Sequence, residues 1–327
     1  MKIKITTLSP LHISGEIYDL GFNAFKEDNH IYLLDEFKTM EFFIEKFNDN
    51  VNYETTLKDN HKLIINNSIY KRKIPSNFNP SNLIAFIDVN NILYIPGSEI
   101  KGAIRTAILN CLFNIKKNDY NTRCGYLFNK LENKKFSKER INKTLDKDLV
   151  EIFKNIIIRD AIKENVKTKI YQTINMKKDR NHQQNRRKHP LSIANYVECI
   201  EKKEEFVVEI IDKRNYLQNI GKICNAFYIP KINQDINYYF YKKGSIDTSK
   251  LKCLGKNKFL LKIGRFTGAE SKSLDNVRYI PTSHCNDKTK TSAVTFARDE
   301  DFIVKDKVND FVNKLEPFGW VVCEIIE

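Results

Sequence analysis

Apolar and polar positions along the chain repeat with two periods, two residues in some stretches and about 3.6 in others. Lys2 to Leu8 alternates, with Ile3 and Ile5 on one side, and reads as a half-buried strand that Ser9-Pro10 ends. Leu11-His12-Ile13-Ser14-Gly15 follows as a connection. Two strand-like runs come next, Gly21 to Phe25 and His30 to Leu34, joined by the turn-forming Lys26-Glu27-Asp28-Asn29. Asp35 then caps a helix with apolar positions Phe37, Met40, Phe43, Ile44 and Phe47. Asn48 to Asn82 is rich in Asn and Lys with weak periodicity, which predicts loop and short helix. The sharpest pattern is Tyr94 to Asn114. A short apolar run ends at Pro96-Gly97, and Ile100, Ala103, Ile104, Ala107, Ile108, Cys111 and Leu112 then share one helical face, with Ser98 as the expected N-cap.

Beyond that helix, Asn118 to Val150 is polar and of helical propensity, an inserted lobe. The β-branched Ile156-Ile157-Ile158 predicts a strand over 155–161. Met176 to Pro190 carries Lys177, Lys178, Arg180, Arg186, Arg187 and Lys188 against the single acid Asp179. With almost no apolar residues it is expected to be a mobile loop. Ile193 to Ile200 and Phe206 to Ile211, around Glu201-Lys202-Lys203-Glu204, predict a hairpin. Asn215 to Tyr228 reads as helical. The aromatic run Tyr238 to Tyr241, followed by Lys242-Lys243, serves either packing or base stacking. A buried strand, Lys258 to Ile263, leads into Gly264-Arg-Phe-Thr-Gly-Ala-Glu-Ser-Lys-Ser273. The chain closes with Pro317-Phe-Gly-Trp320 and an apolar run to Ile326.

Two of these places carry candidate chemistry. At the helix start, Lys101 stands where a capping box would put Glu or Gln, and Arg105 repeats the charge one turn on. Cations there oppose the macrodipole by about 0.3–1 kcal/mol, and Gly102 inside the helix costs roughly another 1 kcal/mol. An anion at this helix start would account for all three choices; a solvated basic face is the alternative. In the second place, Gly264, Arg265, Gly268 and Lys272 after a strand form a loop able to offer N–H groups and cations to phosphates. Its glycine spacing fits neither a Walker A loop nor a dinucleotide fingerprint, which excludes nucleotide hydrolysis and dinucleotide binding as readings.

Charge strengthens this picture only in part. The net charge of +14 suggests a polyanionic partner, but 43 Lys against 12 Arg among abundant Ile and Asn also reflects AT-rich coding. The seven Cys are scattered with no C-x-x-C, which fits a reducing cytoplasm and argues against a zinc or disulfide framework. No stretch reads as a signal peptide or a transmembrane helix, so no membrane association is expected. No cofactor is expected.

The stretch Pro96-Gly-Ser-Glu-Ile-Lys-Gly-Ala-Ile-Arg105 resembles the P-G-S-x-[IL]-K-G-x-[IL]-R signature of the RAMP superfamily, the ferredoxin-like RNA-binding subunits of CRISPR effector complexes. Four further pieces follow in the family's order. Leu8-Ser-Pro-Leu-His-Ile-Ser-Gly15 is similar to its opening, and Ile156 to Ala161 to its strand ending R-D-A. Gly264 to Ser273 resembles its glycine-rich loop with one glycine fewer. The closing P-F-G-W resembles the Csm-complex subunit at the 3′ end of the guide RNA. The resemblance implies an α+β, ferredoxin-like (RRM-like) βαββαβ fold, single or duplicated, with a helical insertion. A boundary near 165 would divide an N-terminal domain, 1–165, from a C-terminal part, 166–327; one interleaved domain is the alternative. An ordinary RNA-recognition motif is excluded, because the RNP1 pattern is absent.

The function implied is a non-catalytic RNA-binding and assembly subunit of a type III-A (Csm) effector near the guide's 3′ end. Its partners would be guide RNA, other RAMP subunits and, indirectly, target RNA. His12, Ser98, Lys101, Gly102 and Arg105 would contact the RNA, with the basic segment from Lys177 to Arg187 and the glycine loop. A competing reading is an endoribonuclease, with His12 as general acid/base, Lys101 or Arg105 stabilising the phosphorane, and Asp28 as the nearby carboxylate. A third is another RAMP role, such as the guide's 5′-end cap or a Cmr-type subunit.

Overall fold

A computed structural model describes residues 1–46, 55–56, 59–60, 68–74, 78, 80–117, 152–177, 195–238, 246, 251, 254–275, 293–298 and 315–327. Its elements begin with β1 (Lys2–Thr7), β2 (Ser14–Asp19), β3 (Ala24–Glu27), β4 (His30–Leu34) and α1 (Glu36–Lys46). Then come β5 (Ser68–Lys73), β6 (Asn82–Phe86), β7 (Asp88–Val89), β8 (Ile92–Ile95) and α2 (Gly97–Lys117). The middle of the chain gives β9 (Ile156–Ile158), β10 (Ala161–Ile162), β11 (Thr168–Lys177), β12 (Tyr196–Ile200), β13 (Glu205–Asp212) and α3 (Ile220–Tyr238). Last are β14 (Lys258–Lys262), a 3₁₀ turn (Ala269–Lys272), β15 (Ala293–Arg298), β16 (Leu315–Pro317) and β17 (Trp320–Ile325).

The organising layer is a five-stranded antiparallel sheet in the order β14-β17-β1-β13-β9. Read along the chain, β1-α2-β9-β13-α3-β17 is a βαββαβ unit. Its sheet places the fourth strand, the first, the third and the second side by side, with β14 added outside. This is the ferredoxin-like arrangement. Alternation explains the strands: Ile3 and Ile5 are buried, while Lys2 and Lys4 point out. Helical periodicity explains α2, whose Ile100, Ile104 and Ile108 share the core with Cys224, Phe227 and Tyr228 of α3 and with Phe206, Val208 and Val321 of the sheet. Full burial of each such side chain contributes about 1.5–3 kcal/mol.

A six-stranded sheet, β16-β15-β11-β12-β6-β2, lies alongside, antiparallel except for β6 and β12. The three-stranded β3-β4-β5 contributes Ala24, Ile31 and Leu33 to a second apolar cluster with Leu83, Ala85 and Ile170 of this sheet. The buried carboxylate of Glu198 pairs there with Arg72 and accepts a hydrogen bond from the Phe86 N–H, 3.2 Å.

Several expectations need correction. A boundary at 165 would cut both larger sheets: β1 and β9 each pair with β13, in a sheet that also holds β14 and β17, and β2 and β6 join β11, β12, β15 and β16, as in the interleaved alternative. The segments 193–200 and 206–211 are not a hairpin. β12 and β13 enter different sheets, and the turn between them is held by Thr7, whose hydroxyl donates to the Glu201 carbonyl (2.6 Å) and accepts the Glu204 N–H (2.9 Å). Glycine at 21 begins a turn, so β3 starts only at Ala24. Strand β5 lies where loop and short helix were expected, β11 takes in the first two residues of the expected basic loop, and β2 falls where no element had been assigned. Asp35 does cap α1, accepting the Lys38 N–H at 3.1 Å, but Phe37, Met40 and Ile44 are exposed on it. The lobe expected at 118–150, the aromatic run beyond Tyr238 and the basic segment beyond Lys177 lie outside the described residues.

Candidate nucleic-acid interface

Three distant segments are stitched into one surface by backbone hydrogen bonds. After β14, the Ile263 N–H donates to the Gly319 carbonyl (2.9 Å), and the Gly319 N–H donates to the Pro10 carbonyl (2.9 Å). The Trp320 N–H reaches the Ser9 hydroxyl at 2.9 Å, and the Leu8 N–H reaches the Trp320 carbonyl at 2.8 Å. Gly264 turns the chain at φ 85°, and a Cβ there would sit 2.4 Å from the His12 carbonyl oxygen. Only glycine fits that approach. Directly after it, the Arg265 N–H donates to the same oxygen, 2.8 Å. The closing aromatic motif supports the loop from beneath: the fully buried Trp320 donates Nε1–H to Asp235 (3.0 Å), which also pairs with Lys262 at 2.7 Å. Lys262 Nζ in turn lies 4.8 Å from the Trp320 ring centroid.

His12 is 0 % exposed. Its Nδ1 lies 2.6 Å from the Glu198 carbonyl, which can only accept, so Nδ1 carries the proton and donates. Nε2 is then an acceptor, and the Ser14 hydroxyl stands 3.2 Å from it. Burial lowers the His12 pKa to about 4, against the raising effect of the Glu198 hydrogen bond, with Arg265 lowering it further. The ring is neutral near pH 7. Phe266 stacks on it, centroids 5.7 Å apart, and leans on Phe318 at 5.4 Å. Phe266 adopts φ 62°, a conformation that costs a non-glycine residue of order 1–3 kcal/mol. Ser14, Phe266 and Glu99 were missed from sequence. All three lie inside recognised motifs, and only their side-chain directions mark them out.

The helix start lies against this loop, because Glu99 accepts the Gly264 N–H at 3.0 Å. Its own donors, however, turn inward. The helix begins at Gly97, where a Cβ would meet the Ile158 carbonyl at 2.1 Å, and the Gly97 N–H is capped by Asp160 at 2.7 Å. Ser98 is therefore an exposed first-turn residue and not the cap. Lys101 Nζ donates to the carbonyls of Phe153 (3.0 Å) and Ile156 (2.7 Å), tying α2 to β9. Gly102 is exposed with nothing within 4 Å of a would-be Cβ, and Arg105 is half-buried.

On the loop, Arg265 and Lys272 are both exposed. Lys272 Nζ donates to the Gly264 carbonyl at 2.8 Å, Ser271 closes the turn onto Thr267 and Gly268 at 2.8 Å each, and Gly268 faces open space. Asp275 then fastens the segment to α2 and α3 through Asn110 (3.0 Å) and Lys231 (2.5 Å). The structure thus places Gly264, Arg265, Gly268 and Lys272 on one loop that Glu99 and Asn110 fasten to α2, with His12 beneath; Ser98, Gly102 and Arg105 lie on the same helix. Lys177 ends β11, whereas Lys178, Arg180, Arg186 and Arg187 lie outside the described residues. Asp28 sits exposed at the β3–β4 turn, φ 51°, and is not among the hydrogen-bond partners of His12. Among the described residues no group of His, Cys, Asp or Glu could hold a metal ion, and no helix is long and apolar enough to cross a membrane.

Two solved structures share this architecture at 18% identity each. One is a chain of a Csm–crRNA–target RNA ternary complex of a type III-A CRISPR-Cas system, seen by cryo-electron microscopy, with TM-score 0.67 over 99% of this chain and 100% of that one. The other is the crystal structure of T. onnurineus Csm5, with TM-score 0.55 over 98% and 99%. No curated protein matches the chain. The family model of the RAMP superfamily matches residues 4–283, taking in the opening strand, the helix start and the glycine loop, and the chain belongs to the RAMP superfamily.

Proposed function

We propose that the protein is a non-catalytic RNA-binding and assembly subunit of a type III-A CRISPR (Csm) effector, lying near the 3′ end of the guide RNA. The observation that carries this is the exposed pair Arg265 and Lys272 on a loop fastened to the helix start, a rigid cationic ledge suited to backbone phosphates. Family membership and the likeness to a chain of a Csm–crRNA–target RNA complex support the assembly. The 3′ position rests on the closing Pro317-Phe-Gly-Trp320, which resembles the Csm subunit at that end and is built into that ledge. Guide RNA and other Csm subunits are the partners of this reading, with target RNA reached through them.

A nuclease role finds little support in His12, which is buried, neutral and engaged at both nitrogens. Three measurements test the proposal. Tagged protein should co-purify with a short RNA and other Csm subunits, and omitting it from the assembly should cost the guide's 3′ portion its nuclease protection. Loss of protection at the 5′ portion instead would favour the other cap. Purified protein should leave labelled single-stranded RNA intact with or without Mg²⁺. Cleavage that vanishes in His12→Ala or Asp28→Ala would make it an enzyme.

A further inference from the structure

The exposed Arg265 is tied to the buried His12 by three separate routes. The backbone route is the Arg265 N–H on the His12 carbonyl, 2.8 Å. The second passes through Ser14. Because Nδ1–H is committed to the Glu198 carbonyl, Nε2 must accept, so the Ser14 hydroxyl proton points at Nε2. That leaves the Ser14 oxygen lone pairs turned outward, and Arg265 Nη1–H donates to them at 2.9 Å. The third route is stacking: Phe266 lies on the imidazole at 5.7 Å, and the guanidinium carbon lies 5.1 Å from the Phe266 centroid. The local backbone is shaped for this. The β2–β6 register breaks between Ser14 and Ile17, and such an irregularity re-aims a side chain; Phe266 holds φ 62° against its own preference.

We propose that His12, Ser14 and Phe266 form a seat that pre-sets the Arg265 guanidinium for one phosphodiester of a single-stranded RNA, with His12 and Ser14 as positioning residues that never touch the RNA. A free arginine side chain is among the most mobile in proteins, and binding must freeze it. Here it is stacked and singly bonded beforehand, and its remaining N–H donors have no partner among the described residues. The hydrogen-bond polarity runs one way, from Arg265 to Ser14 to His12 to the Glu198 carbonyl, so no proton transfer is needed or provided. The seat rests on the reading of the glycine loop as an RNA contact.

The test uses the full chain, an unstructured single-stranded RNA oligonucleotide and titrations over a range of salt. Arg265→Ala should weaken binding and flatten the slope of log K against log salt by roughly 0.7, one phosphate contact on a single strand. Ser14→Ala should weaken binding about 3- to 10-fold with the slope unchanged, since the charge remains but must be ordered on binding. Ser14→Thr, which keeps the hydroxyl, should restore wild-type affinity. In the RNA-free protein, hindered rotation of the Arg265 guanidinium, followed by ¹⁵N-arginine resonances, should be lost in Ser14→Ala and kept in Ser14→Thr. Wild type that fails to bind, or Arg265→Ala without effect, would remove the RNA-contact reading itself. Arg265→Ala weakening binding while Ser14→Ala leaves affinity and guanidinium rotation unchanged would leave that reading standing and overturn the seat.

Discussion

The helix start at 97–105 and the glycine loop at 264–272 both look, in sequence, like cradles for an anion, yet they spend their donors in opposite directions. At the helix start the first N–H is taken by Asp160 and Lys101 is turned onto two carbonyls of the neighbouring segment. On the loop, the N–H groups of Gly264 and Arg265 are taken internally while the cationic heads of Arg265 and Lys272 stay exposed. A cation in a signature can thus be present for architecture or for contact. What separates the two cases is how far the head is committed: half-buried Lys101 is tied to two carbonyls, whereas Lys272 stays exposed with one.

Acid should pull the two regions apart most strongly. His12 is buried neutral with a pKa near 4 against an ordinary 6.5. Between those values the unfolded chain binds a proton that the folded one refuses, so stability falls as pH drops from about 6.5 to 4 and is flat for this group above that window. The loss is on the order of 3 kcal/mol and should be centred on the loop. Denaturant melts across pH, with hydrogen exchange to locate the opening, would check it. His12→Phe should flatten the dependence, and a wild-type profile unchanged by that substitution would show that another group governs acid lability.

Next in size is the contrast between the lysines. Lys101→Ala leaves two carbonyls without their donor and should cost about 1–3 kcal/mol in denaturant unfolding. Lys272→Ala, from an exposed head with one hydrogen bond, should cost about 0.5–1 kcal/mol or less while weakening RNA binding. The reverse ranking would mean that the helix start, not the loop, supplies the contact. The smallest effect is a gain. Gly102→Ala has room for its methyl and should stabilise the helix by about 0.4–1 kcal/mol. If RNA affinity drops as stability rises, RNA backbone approaches α2 at that point; unchanged affinity confines the contact to the loop.

The ferredoxin-like layer was legible because its strands and α2 carry clean periods, as in Ile3 and Ile5 or Ile100, Ile104 and Ile108. The second sheet was not. Strand β11 carries only Ile170, Ile174 and Met176 on one side before it runs into a basic segment; β5 reads as Tyr70-Lys71-Arg72-Lys73 and β2 begins with Ser14-Gly15, neither with an apolar alternation. Their burial is set by partners far away, such as Glu198 for Arg72. The same holds at the site. Gly264 and Arg265 announce themselves by type, whereas the N-cap was assigned to Ser98 because Asp160, which does the capping, arrives from more than sixty residues on. The mistaken hairpin at 193–211 has an equally local cause: a four-residue polar turn ordinarily joins neighbours, and only Thr7 reveals that this one steps between sheets.

The central position of β1 also dictates when the protein can exist. Strand β1 is made before either of its neighbours, β13 and β17, with Ile3 opposite Val208 on one side and Ile325 on the other. Synthesis at roughly 5–20 residues per second therefore leaves it without either partner for on the order of ten seconds or more, an open apolar edge waiting for residues not yet translated. Long-range pairing of this kind folds slowly once the chain is complete. The nascent chain is consequently most vulnerable to misassociation while β1 waits for β13 and β17, and a substitution such as Ile5→Lys would be felt in yield well before it was felt in RNA binding.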